Sequence, residues 1–179
     1  VKYLYVGATN DVAPHDAAMV AARAAEVFGG PVRQLDLGSV EFAFDAARNQ
    51  YASVPILEML LRCCPEDGYK LLAVTGHDLY IPVLTFVFGH AQLGGRAGVV
   101  SLARLRQEFY GLPPDDTVFR QRAEKETLHE GGHLFGLVHC AERRCAMSLA
   151  TGVRQIDMKD NAFCPPCAAR LRKHAGGPL

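Results

Sequence analysis

The 179-residue chain predicts an α/β fold on three observations. Apolar runs of strand length alternate with helical patterns through its N-terminal part, the rhythm of parallel strands joined by helices. Two later apolar runs flank Gly94 and Gly95, a hairpin turn signal that makes one edge of the sheet antiparallel. A 49% apolar composition suffices for one compact domain with a buried core.

Taken in order, "KYLYVG" (2–7) reads as the first strand, followed by an alanine-rich helix from about Asp16 to Phe28 that Gly29 and Gly30 stop. "VRQLDL" (32–37) is a second strand. Ser53, with Pro55 just inside, opens a second helix that Pro65 closes, and Cys63 and Cys64 at its end are expected to be ordinary buried thiols. "YKLLAVTG" (69–76) is almost continuously apolar and belongs in the sheet interior. "TFVFGHAQL" (85–93) and "RAGVVSL" (96–102) form the hairpin. The aspartates of "GLPPDD" suit the positive end of a helix running from about Thr117 to Leu134. Beyond Gly136 regular structure is expected to fade until a last short helix, "CAARLRKH" (167–174), after Pro165 and Pro166.

Charge and composition narrow the function classes. Nineteen basic residues balance nineteen acidic ones and there is no Trp, so a polyanion-binding chain is disfavoured. The segment from Ala141 onward is locally basic, but a nucleic-acid module remains the weakest reading. No run is long enough to span a bilayer or to act as a secretory signal, and a cytoplasmic protein is the expectation. Four of the six cysteines stand close together beside histidines, which favours metal ligation over disulfides.

The chemistry concentrates in "HEGGHLFGLVHC" (129–140). Residues four apart stack on one helix face, so His129 and His133 can present two imidazoles to one ion. Glu130, about one hundred degrees around the helix, is placed to act as general base toward a water held by that ion. Gly136 can end the helix in the left-handed conformation and turn the chain so that His139 returns as third ligand. Three nitrogens leave one coordination place open, the mark of a catalytic zinc. Gly131 and Gly132 flank Leu128 and Phe135 on the wheel and face inward, where a sheet strand is expected to pass close over them.

Cys140 and Cys145, with Cys164 and Cys167, have the paired spacing of a closed, structural zinc site. In extended chain, successive side chains point to opposite sides, so His139 and Cys140 are expected to serve two different ions. His77 and Asp78 read as a loop pair facing water. Asp157 and Asp160 are possible partners of a ligand imidazole, at least one of them a simple turn residue. His15, His90 and His174 are given no role.

Together these residues resemble the archaemetzincins, a branch of the metzincin zinc peptidases. The resemblance rests on "HEGGHLFGLVHC", "CAM" (145–147) and "CPPC" (164–167), and reaches upstream to "DLYIPVLTFVFG" (78–89) and "SLARLR" (101–106). It implies a single metzincin-like zincin domain over 1–179: a mixed, twisted sheet subdomain (1–136) ending in the active-site helix, then a small C-terminal subdomain (137–179) with the methionine turn and a zinc knuckle. It implies that Met147 is the apolar floor beneath the histidines, and that "TFVFGHAQL" is the edge against which a substrate peptide lies extended. Thr85 stands where the family usually carries Asn, and Leu149 where other metzincin branches carry a tyrosine. The function implied is a zinc-dependent peptidase with two zinc ions and a peptide or protein substrate. A weakly catalytic peptide-binding protein on the same scaffold is the alternative, because no second carboxylate or tyrosine accompanies the motif.

Overall fold

The computed structural model describes residues 1–175; the last four positions of the expected C-terminal segment lie outside the described residues. Five strands form the main sheet: β1 (Tyr3–Thr9), β2 (Val32–Gly38), β5 (Gly68–Thr75), β7 (Gly89–Ala91) and β8 (Ala97–Ser101). Their order is β2-β1-β5-β8-β7, all parallel except β7, which runs antiparallel along β8 at the edge. Alternation along β1 and β5 feeds two cores. Leu4, Val6, Leu72 and Val74 point to one face, while Tyr5, Leu71 and Ala73 point to the other.

On the first face lie α1 (Pro14–Phe28) and α3 (Asp116–Leu134); on the second lies α2 (Ser53–Cys63). α1 begins on Pro14, where a missing N–H costs nothing, and buries Ala17, Val20, Ala21, Ala24 and Phe28, a stripe of helical period. Gly29, at φ +70°, ends it. Asp115 caps α3 by accepting from the Val118 N–H at 2.9 Å, which ties up one orphan donor of the first turn. The C-terminal half of α3 is buried on nearly all sides, because the sheet, α1 and the C-terminal tail surround it. The tail carries α4 (Val153–Met158) and α5 (Pro165–Ala175), and its Met147, Ile156 and Leu171 share the core of α1 and α3.

Several expectations need correction. The edge strand is shorter than "TFVFGHAQL", because residues 84–87 are drawn toward a second, three-stranded sheet and its neighbours. That sheet comprises β3 (Phe44–Asp45), β4 (Gln50–Ala52) and β6 (Leu79–Tyr80). The Thr85 carbonyl accepts from Gln50 Nε2 at 2.9 Å, the Leu84 carbonyl from Arg48 Nη2 at 2.8 Å, and Val87 N–H donates to Leu79 at 2.9 Å. Asp78 belongs to the same clamp, held by Arg104 at 2.7 and 2.9 Å, and His77 stacks on Tyr51, so neither is a water-facing loop residue. α4 interrupts the region expected to be irregular; the Gln155 side chain accepts from the Gly152 N–H at 3.2 Å and so closes its first turn. Cys63 is exposed, and Cys64, which packs against the second core, is only half-buried, because both lie at the end of α2.

Candidate metal centres

The C-terminus of α3 is built to turn one residue run into two sites. Gly136 has φ +85°, its N–H reaches the His133 carbonyl at 2.9 Å, and the Leu137 N–H reaches the Gly132 carbonyl at 2.9 Å. This is a Schellman motif, which reverses the chain at a glycine. The reversal carries His139 back toward the two helical histidines. One ligand nitrogen from each of His129, His133 and His139 lies within 4.8 Å of the others. One sulfur from each of Cys140, Cys145, Cys164 and Cys167 meets the same limit, with Cys140 Sγ and Cys164 Sγ 3.7 Å apart. His139 and Cys140 therefore point into different clusters, as the alternation of extended chain requires.

Backbone carbonyls set the imidazoles. His129 Nδ1 lies 2.8 Å from the Ala146 carbonyl and His133 Nδ1 2.7 Å from the Leu137 carbonyl. A carbonyl only accepts, so both Nδ1 atoms carry the proton and both Nε2 atoms present lone pairs. Those Nε2 atoms face each other at 3.3 Å, an arrangement that repels unless a cation lies between them. Burial holds all three imidazoles below the ordinary histidine range, most strongly His129, which keeps them in the neutral form that binds metal. In the second cluster Cys145 Sγ accepts backbone N–H groups from Met147 and Cys164, each at 3.4 Å. Each set can hold a metal ion.

Glu130 is 5% exposed and lies against β7: a Cβ placed on Gly89 would fall 2.6 Å from its Oε1. The close strand approach is thus made by a strand glycine. The helix glycines clear other neighbours, contrary to expectation: a Cβ on Gly131 would meet the Phe28 ring of α1, and one on Gly132 the Met147 Sδ. Met147 is fully buried beneath that turn of helix. Burial, then the nearby Glu126, pushes the Glu130 carboxyl well above the ordinary carboxylate range, with Lys159 opposing. Around these groups opens a cavity of about 390 Å³, walled by Leu84, Phe86, Phe88, His90, Leu149 and Ala150.

Asp157 and Asp160 do not reach the histidines; they pair with Arg122 at 2.7 Å and Arg144 at 2.7 Å. The residues that do stand behind His129 are Glu126 and Lys159, both buried and both lining the cavity. Sequence reasoning missed them. Glu126 had a weak signal, one helical turn before His129; Lys159 had none.

A helix that offers two histidines and a glutamate to a third histidine past its end, beneath the edge of a mixed sheet, defines a metallopeptidase type of site. Residues 62–173 match the model of peptidase family M54. An archaemetzincin of Methanocaldococcus jannaschii is 44% identical over 131 residues, 73% of this chain and 71% of that protein. The crystal structure of an archaemetzincin from Methanopyrus kandleri superposes with a TM-score of 0.86 at 33% identity, covering 98% of this chain and 96% of that one. A structure described as a zinc-dependent peptidase from Methanocorpusculum labreanum gives 0.80 at 32% identity, covering 94% and 99%. The chain belongs to peptidase family M54, the archaemetzincins.

Proposed function

We propose that the chain is a zinc peptidase in which His129, His133 and His139 hold the catalytic ion and Glu130 is the general base. The observation that carries this reading is the convergence of three imidazoles, two of them presenting Nε2, and one buried carboxyl on a single cavity. A zinc ion there supplies a Lewis acid that activates water and polarises a scissile carbonyl. Glu130, the buried carboxyl that lines the cavity beside the three histidines, takes the proton. The free edge of β7 receives the peptide in extended form, and Gly89 lets that backbone lie close over Glu130. Gly136 and Met147 support the ligand geometry from behind.

Cys140, Cys145, Cys164 and Cys167 hold a second, structural zinc, which ties a C-terminal subdomain from residue 137 to the turn beneath the histidines. Cys145, Ala146 and Met147 are consecutive. One is a sulfur ligand, one orients His129, and one packs on Gly132. Among the described residues no helix is long and apolar enough to cross a membrane, and the reading needs none.

Glu130→Ala tests the base. The variant is expected to bind zinc as the parent does and to cleave no member of a broad peptide library read by mass spectrometry. Cleavage at the parent rate would remove Glu130 from the mechanism.

A further inference from the structure

The Lys159 ammonium is closed off from water inside the wall of the catalytic cavity, 3.4 Å from Glu126 Oε1, 3.3 Å from the Ala146 carbonyl and 3.5 Å from His129 Nδ1. Glu126 is equally buried. Such a pair is a poor device for stability, because desolvating two charges offsets their attraction and apolar replacements of similar volume are often as stable. Its position is informative. Lys159 follows the end of α4 and reaches across to the one carbonyl that fixes the His129 tautomer. It donates to the same Ala146 oxygen that accepts from His129 Nδ1 at 2.8 Å, so one carbonyl takes both donors.

We infer that Lys159, charge-balanced by Glu126, is a positioning residue of the peptidase site: it holds the Ala146 carbonyl in place so that His129 presents Nε2 to the metal. The step rests on the proposed role of His129 as a ligand. Glu126 keeps the cation from standing alone beside the metal centre, and Lys159 keeps Glu126 from becoming a second unbalanced carboxylate next to Glu130. Both functions need the pair, and neither needs it to touch substrate.

Lys159→Met alone leaves a buried, unpaired carboxylate and can unfold the chain, so the decisive variant is Lys159→Met combined with Glu126→Leu. Removing partners that orient a ligand typically lowers activity 10–100-fold. The double variant is expected to melt at or above the parent temperature, to lose at least about tenfold in kcat with KM little changed, and to be restored by neither zinc nor dialysis. Nitrogen-15 spectra of the metal-free protein give a readout independent of catalysis. The parent His129 is expected as the pure Nδ1–H tautomer and the double variant as a mixture. A folded double variant with the parent tautomer and the parent kcat would overturn the inference. If the parent cleaved no peptide at all, the peptidase reading would fail while the tautomer comparison still decided the role of Lys159.

Discussion

The two ligand clusters begin on adjacent residues and are built on opposite plans. The histidine cluster gathers nitrogens from a helix and from the reversal after it, borders a cavity of about 390 Å³, and leaves His139 exposed. The cysteine cluster gathers sulfurs from two separated segments, with Cys145 and Cys167 buried and Cys140 and Cys164 half-buried. Three nitrogens leave a coordination place for water or substrate, whereas four sulfurs fill a tetrahedral site. The difference teaches that two adjacent residues, His139 and Cys140, can divide reactivity from support where the chain leaves a helix.

The largest way to break this division is to remove a buried sulfur. Cys145→Ser is expected to release the structural metal and destabilise the fold by about 3–5 kcal/mol, with the histidine site emptied as well, because the same three-residue turn orients His129. Thermal melting with metal analysis checks it. His133→Ala is the converse: hydrolysis is abolished and one metal lost, while the other metal and the cooperative melt remain. If His133→Ala also emptied the cysteine site, the two centres would not be separable.

A smaller effect sharpens the packing account. Gly132→Ala forces a methyl onto buried Met147, and a loss of about 1–3 kcal/mol is expected, with Met147→Leu in the same chain changing that loss. Strict additivity of the two substitutions would deny the contact.

The smallest effect concerns protons. The folded-state pKa of Glu130 is raised, so in metal-free protein its bound proton stabilises the fold at acid pH, and that stabilisation is lost as pH rises through the raised value. Metal-free Glu130→Gln is therefore expected to exceed metal-free parent in stability near pH 7, with the gap closing below about pH 4.3. Denaturant titrations at both pH values measure it, and a gap that widened toward acid would reverse the sign.

Much of this was legible in the sequence because it depends on local spacing. The four-residue step of the helical histidines, the turn at Gly136 and the paired cysteines each impose geometry within a few residues. The parallel core strands were legible as apolar runs, and the antiparallel edge as a glycine turn. What escaped depends on contacts between distant segments. The shortened edge strand follows from Gln50 and Arg48 capturing the carbonyls of Thr85 and Leu84, more than thirty residues away. The neighbours of Gly131 and Gly132 are a phenylalanine on α1 and the turn methionine, and helical periodicity reports only that something lies close. The Glu126–Lys159 pair spans thirty-three positions and reads in sequence as two ordinary surface charges.

The most direct measurement is an anomalous difference map recorded at the zinc edge from crystals of the zinc-loaded protein. Two separate peaks are expected, one bonded by the Nε2 atoms of His129 and His133 together with His139, the other by the four sulfurs. A single peak bonded by both His139 and Cys140, or sulfur pairs joined as disulfides with no second peak, would contradict the account.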